Sequence, residues 1–96
     1  MQKIVKKGRW NYSNGSLEKV IIVEQDWDEL FEEGYSEGDP YLNDLGLVYF
    51  IHFGDYSYNE YGNIISESIS IPFLSLDKAE KYVQQKVSHL EWDETM

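Results

Sequence analysis

The sequence predicts an α+β protein of two layers, in which a mostly antiparallel four-stranded sheet carries a C-terminal helix on one face. Two kinds of hydrophobic period lead to this expectation. Alternation or continuous apolar runs of strand length occur in four segments, and apolar residues recur at spacings of three and four in two others. The predicted order is strand, strand, short helix, strand, strand, helix. The four strand segments are 3–12, 17–24, 47–53 and 64–71.

The first half of the chain reads as a hairpin followed by a short helix. Asn14-Gly15 is a strong hairpin signal, because a type I′ turn needs two residues with positive φ. The β-branched run 20–23 that follows suits a strand well inside a sheet. From Asp26 the period becomes helical, so we expect Asp26 to cap a short helix that stops at Gly34. The acids of this helix are expected on its solvated face.

The second half predicts a central strand, a polar connection, an alternating strand and a longer helix. Residues 47–53 are apolar at both parities, as in a strand covered on both sides. The connection spans Gly54 to Asn63. In the next strand Ile65, Ile69 and Ile71 are expected to face the core while the serines face solvent. Ser75 is the expected cap of a helix whose apolar face runs from Ala79 to Leu90.

Length and composition point to one small folded domain spanning 1–96. The chain has 42% hydrophobic and 16% aromatic residues, which is too many for a disordered acidic tail. It has no cysteine, so disulfides and thiolate metal sites are excluded. No apolar run is long enough to span a bilayer, and the basic start lacks the apolar segment of a signal peptide. We therefore expect a cytoplasmic protein.

Negative charge is concentrated in the middle of the chain. The formal net charge is −10, and the 58 residues 20–77 contain no Lys or Arg but thirteen acids. Such a field repels nucleic acid and anionic membranes and speeds encounter with basic partners. Direct binding to nucleic acid or to a membrane is therefore not expected. The alternative is that the acids only keep a small protein soluble.

No known catalytic or phosphate-binding motif is present, so we expect neither an enzyme nor a cofactor or metal site. Asp26 and Asp28 are not followed by the glycine and late acid of a calcium loop. His52 lies in the apolar central strand, and the simplest expectation is a buried histidine with one hydrogen-bond partner. A histidine base acting with nearby acids would instead suit a small-molecule binder or an enzyme.

Tyrosines and acids are crowded together between Asp55 and Tyr61, where we expect a hairpin tip. Tyrosine gives a large contact area at low entropic cost, which suits a binding surface. The alternative is that the tyrosines pair across strands and stabilise the hairpin. The residues expected to bind a partner are those of the acidic helix, the loop after it and this tip: Asp28, Glu29, Glu32, Glu33, Glu37, Asp39, Asp44, Asp55, Tyr56, Tyr58, Glu60 and Tyr61.

These features favour an acidic protein inhibitor that occupies the nucleic-acid site of a basic partner, a nuclease or another nucleic-acid-binding effector. Carboxylates would take the place of phosphates. The small, acidic, cysteine-free profile is similar to that of bacterial toxin-immunity proteins and phage anti-defence proteins as a class. The alternative is an adaptor that binds a peptide or a basic protein through a sheet edge or the tyrosine tip, with incidental charge. The third hypothesis is the small-molecule binder or enzyme that uses His52.

Overall fold

The computed structural model describes residues 1–11, 15–34 and 38–93, which form an α+β fold with an antiparallel sheet of strand order β4-β3-β2-β1-β5. The predicted fold class and the placement of the C-terminal helix on one sheet face are confirmed. The predicted number of strands is wrong, because a fifth strand follows that helix and pairs with the first. The elements are β1 (Gln2–Asn11), β2 (Leu17–Gln25), α1 (Glu29–Glu32), β3 (Val48–Tyr58), β4 (Ile64–Ile69), α2 (Leu76–Lys86) and β5 (Ser88–Trp92).

The predicted hairpin of β1 and β2 is confirmed by antiparallel pairing from Gln2 opposite Gln25 to Asn11 opposite Leu17. Asn14, of the predicted turn, lies outside the described residues. The run 20–23 is buried because β2 has a strand on each side and side chains packed on both sheet faces. Its β-branched side chains suit such a position.

One face of the sheet is covered by α2. Ala79 and Val83 of the helix are fully buried against Val20, Ile22 and Ile51 of the central strands. The helix begins as predicted, since the Ser75 side chain accepts a hydrogen bond of 3.1 Å from the backbone amide of Lys78. This helix has 11 residues. Among the described residues no helix has the length and apolar character needed to cross a membrane.

The other face is covered by the sheet itself, because β3 bends at Gly54. The register between β3 and β4 shifts between Phe53 and Tyr56, and Gly54 has φ +89°, which favours glycine. Beyond the bend, Tyr56 and Ile64 pack against residues of the preceding strands. The second apolar cluster comprises Ile21, Val23 and Ile64, with Ile4 and Tyr56 packed against it.

This bend overturns two expectations for the second half of the chain. The segment 54–63 is not one long connection, because β3 continues to Tyr58 and only 59–63 join it to β4. The expected apolar face of β4 is also wrong: Ile65 and Ile71 are 47% and 61% exposed, whereas Ile64 is buried. The irregular pairing beyond Phe53 changes which residues of β4 face the core.

The chain reverses after α2 to form β5. The helix ends at Lys86 rather than continuing to Leu90 as predicted, and His89 takes a positive φ of 53° in the reversal. β5 then pairs with β1 so that Trp92 lies opposite Gly8. A Cβ atom at Gly8 would lie 2.7 Å from both the Glu91 carbonyl oxygen and a carbon of the Trp92 ring. The missing side chain therefore leaves the space that the indole fills.

We expect Gly8→Ala to lower the free energy of unfolding by about 1–3 kcal/mol, because the new methyl group displaces the Trp92 ring. Chemical denaturation measures the loss. Relative to the wild type, amide hydrogen exchange should become faster in β5 and change less in β2. Lys3→Ala is the control on the same strand, since Lys3 is exposed. Unchanged stability and unchanged exchange in β5 would contradict the close approach of Trp92 to Gly8.

Candidate functional site

The acidic helix α1 is capped by Asp28 and not by Asp26. One carboxylate oxygen of Asp28 accepts hydrogen bonds from the amides of Leu30 (3.1 Å) and Phe31 (3.4 Å), and the other accepts one from Tyr41 (3.0 Å). The side chain is 2% exposed. The expectation that Asp28 lies on the solvated face is therefore wrong, because its carboxylate satisfies backbone donors of two segments.

Glu29 is half-buried and anchors α1 to the sheet. Its carboxylate accepts hydrogen bonds from the side-chain amides of Gln25 at 3.3 Å and Gln2 at 3.4 Å. Burial raises the pKa of this carboxyl, the charges of Glu33 and Asp28 raise it further, and the Gln25 hydrogen bond opposes them. Glu29 is thus turned towards the protein, and we do not count it among the freely exposed acids.

The side chain of Gln2 connects α1 to the far end of the bent hairpin. Its amide nitrogen donates to Gln25 at 2.9 Å and to Glu29, while its oxygen accepts from the backbone amide of Ile64 at 2.8 Å. In a flat sheet β1 and β4 would be about 14 Å apart, since neighbouring strands are separated by about 4.8 Å. Gln2, on β1, can contact both Glu29 of α1 and Ile64 of β4 only because β3 and β4 curl over the sheet.

The turn that precedes Ile64 is well ordered by Asn59. Its side-chain oxygen accepts hydrogen bonds of 2.9 Å from the backbone amides of Tyr61 and Asn63. The backbone amide of Asn59 donates to the Asn63 carbonyl at 2.8 Å. Such local bonds hold a turn in one shape. The turn and the end of β3 present Glu60, Tyr61 and Tyr58 to solvent, with Tyr61 80% exposed.

The loop after α1 is held by hydrogen bonds to Asp28 and to the segment that precedes α2. Besides the Tyr41 bond to Asp28, Asn43 accepts hydrogen bonds from the amides of Leu45 and Leu47 and donates to the Leu74 carbonyl. These contacts leave the loop's acids and apolar side chains outside. Leu45 is 82% exposed and Tyr41 49% exposed.

We name the exposed residues of these three segments the acidic-tyrosine surface. Within the part of the chain that the structure describes, none of its carboxylates forms an ion pair, so their charges are compensated only by solvent and salt. Exposed apolar and aromatic side chains lie among them. The surface comprises Glu32, Glu33, Asp39, Tyr41, Asp44, Leu45, Tyr58, Glu60 and Tyr61.

Besides Asp28 and Glu29, two further residues expected at the partner-binding site are not part of this surface, and a third lies outside the described residues. Asp55 is exposed but lies at the bend of β3, where its carboxylate is 3.5 Å from the Lys19 ammonium. Tyr56 is half-buried, packs on the second apolar cluster and meets Tyr58 edge to face at 6.4 Å. Because both rings belong to β3, this contact lies within one strand and is not the cross-strand pairing of the alternative hypothesis. Glu37 lies outside the described residues.

His52 is buried, as expected, at 1% exposure. Its Nδ1 lies 2.8 Å from Ser66 Oγ, and that hydroxyl donates to the Ser68 carbonyl, so Nδ1–H is the donor to Ser66. Its Nε2 has no hydrogen-bond partner among the described residues. Burial lowers the pKa of His52 from 6.5 to about 4. The imidazole is therefore neutral, and it belongs to the packed interior.

Sequence reasoning missed Gln2, Tyr41 and Leu45. Gln2 carries no local signal, because its partners are 23 to 62 residues away. Leu45 lies among turn-forming residues, and a leucine in such a loop is exposed or buried according to long-range packing alone. Among the described residues no group of three or more His, Asp and Glu is arranged to hold a metal ion.

The buried neutral His52 predicts a loss of stability in mild acid. The unfolded chain takes up a proton near pH 6.5, but the folded chain does so only near pH 4, so the free energy of unfolding falls as pH decreases between these values. From pH 7.5 to pH 5 we expect about 2 kcal/mol from this residue. Denaturation of the wild type and of His52→Asn at both pH values measures it. Equal acid losses in the two proteins would contradict the prediction.

The Gln2 bridge predicts a local and a global effect of Gln2→Ala. We expect the free energy of unfolding to fall by about 1–2 kcal/mol, because buried polar partners in Gln25 and Ile64 lose a hydrogen bond. Relative to the wild type, the exchange rate of the Ile64 amide with solvent should rise more than that of the Val23 amide. Gln85→Ala, an exposed position of α2, is the control. An unchanged exchange rate at Ile64 would show that the bridge does not hold the hairpin.

Comparison of the chain with protein-family models, with curated proteins and with solved structures finds no match.

Proposed function

We propose that the protein is an acidic inhibitor that binds a basic nucleic-acid-handling protein, a nuclease toxin or a defence effector, and blocks its nucleic-acid site. The observation that carries this proposal is the Gln2 side chain, which contacts Glu29 of the acidic helix and Ile64 next to the tyrosine turn. Two segments that are far apart in sequence are thereby held together, and we infer that their exposed residues supply one surface. An immunity protein or a phage anti-defence protein would act in this way.

The carboxylates attract the basic partner and take the place of the phosphates of nucleic acid. A protein that binds nucleic acid presents Lys and Arg where phosphates lie. Uncompensated acids such as Glu32, Glu33 and Glu60 satisfy the same cations and accelerate encounter. Because the loop and the turn are held by Asn43 and Asn59, little conformational entropy is lost when they are covered.

The exposed apolar and aromatic groups slow the dissociation of the complex. Charges at the rim of an interface change mainly the association rate, whereas buried aromatic anchors control dissociation. Tyr58, Tyr61 and Leu45 are exposed side chains among the acids. An acidic surface that served solubility alone would gain nothing from three such groups.

One specific observation supports the adaptor hypothesis. β4 and β5 are the two edge strands of the sheet, and an extended peptide adds to such an edge through backbone hydrogen bonds. An adaptor of this kind would bind independently of the acids. The small-molecule hypothesis has less support, because His52 is buried and its Nδ1 is engaged by Ser66.

The first experiment is affinity capture of partners from a bacterial lysate with the tagged full-length chain. Washes at low and high salt, with and without nuclease treatment, separate specific partners from nonspecific basic proteins. We expect one near-stoichiometric basic nuclease or nucleic-acid-binding protein that survives high salt and is displaced by added nucleic acid. Its activity on nucleic acid should fall as the inhibitor is added. A captured partner that keeps full activity when saturated contradicts inhibition.

Charge variants then test the surface on that partner. Replacing Glu32, Glu33 and Glu60 by Gln should slow association roughly tenfold at low salt, because electrostatic steering is weakened. Surface plasmon resonance measures both rates. The matched control replaces three acids on the α2 and β5 side of the molecule: Asp77→Asn, Glu80→Gln and Glu91→Gln.

The outcomes separate the hypotheses. The inhibitor hypothesis requires that the test variant associates more slowly than the wild type and that the control variant does not. Equal slowing of both variants would indicate a general charge effect. Unchanged binding of the test variant would favour an adaptor that uses a sheet edge. Tyr61→Ala should chiefly speed dissociation, which distinguishes an aromatic contact from a purely electrostatic one.

A further inference from the structure

A groove of about 610 Å³ opens at the end of the sheet opposite to α1. Trp10 and Glu18 line it from β1 and β2, where they are cross-strand partners, and Phe53 lines it from β3. Glu67 of β4 lies on the far side. Glu18 and Gln25 are seven positions apart on β2, a span of about 23 Å. None of the residues that line the groove belongs to the acidic-tyrosine surface.

The groove results from the bend of β3. Pairing between β2 and β3 ends at Val20 opposite Phe53, and at Gly54 the chain of β3 turns away. β2 continues beyond this point to Leu17, so a gap remains between the two strands. Two rings and two carboxylates of four neighbouring strands border that gap.

The chemistry of the lining favours a cation that also has a flat face. Among the described residues that line the groove there is no Lys or Arg. The nearest cations in sequence, Arg9 and Lys19, alternate to the opposite face of the sheet, where they pair with Asp93 and Asp55. The carboxylates of Glu18 and Glu67 have no cationic partner among the described residues, so the groove is electronegative.

We propose that this groove binds an arginine side chain of a partner polypeptide. A guanidinium stacks on aromatic rings and donates two parallel hydrogen bonds to a carboxylate, so it uses both components of the lining. A lysine ammonium uses the charge but not the planar geometry. This inference does not depend on the proposed inhibitor function, because the residues involved are different.

The probe is N-acetyl-arginine methylamide, titrated into the ¹⁵N-labelled full chain and followed by NMR. We expect saturable shifts of the Trp10 indole N–H and of the amides of Gly54 and Glu67, with millimolar affinity. The Trp27 indole, which belongs to the α1 end, should not respond. The neutral isostere N-acetyl-citrulline methylamide should produce no saturable shift, and the lysine analogue should bind more weakly than arginine.

Variants locate the binding site. Glu18→Gln combined with Glu67→Gln should weaken arginine binding roughly tenfold or more, because charge-assisted hydrogen bonds are lost. Glu32→Gln combined with Glu33→Gln removes the same charge at the other end and should change the affinity by less than about twofold, since distant charges are screened. Glu67→Gln alone serves if the double variant fails to fold, because Glu67 is exposed.

Three results would overturn the proposal. They are the absence of saturable shifts at Trp10, equal binding of the citrulline analogue, and equal weakening by the two double variants. Equal binding of the lysine analogue would overturn the assignment to arginine. None of these results bears on the acidic-tyrosine surface, whose test uses other residues and a protein partner.

Discussion

The bend of β3 at Gly54 is the constraint on which the rest of the structure depends. A straight β3 would leave Ile21 and Val23 exposed, because α2 covers only the opposite face of the sheet. With the bend, Tyr56 and Ile64 close the second apolar cluster, so apolar side chains are buried on both faces of the sheet. A glycine with φ +89° permits the reversal at little steric cost. The same bend brings Ile64 to Gln2 and opens the groove beside Phe53.

The acids of this protein divide into two groups by what their carboxylates contact. Asp28 and Glu29 accept hydrogen bonds from backbone amides or glutamine side chains and so fix α1 and its loop. Glu32, Glu33 and Glu60 have no such partners among the described residues, and the charge of Glu33 repels that of Glu29, which opposes folding. Solvated acids that oppose folding need a reason outside the isolated chain. Solubility is one such reason, and a basic partner is a stronger one because aromatic groups accompany the charge.

Local signals made much of the fold predictable, and long-range contacts account for the errors. The β1–β2 hairpin, the Ser75 cap and the burial of His52 follow from turn chemistry and hydrophobic patterning. The cap of α1 could not be chosen between Asp26 and Asp28 without knowing that Tyr41 donates to Asp28. β5 depends on the space above Gly8 that Trp92 fills, which no local pattern reveals. An isolated glycine such as Gly54 within an apolar and aromatic run is itself a bulge signal, and it would have corrected the expected connection.

The candidate site shows the same division. Composition alone identified the acids of 20–77 and the tyrosine tip, but only the folded chain separates Tyr56, which packs inside, from Tyr58 and Tyr61, which do not. Burial also removes Asp28 from the set. What remains is a smaller surface in which charge, aromatic area and ordered turns coincide, and whose acidic-helix and tyrosine-turn segments are joined by the Gln2 side chain. That coincidence favours recognition over solubility, since solubility requires charge but neither a fixed turn nor exposed rings.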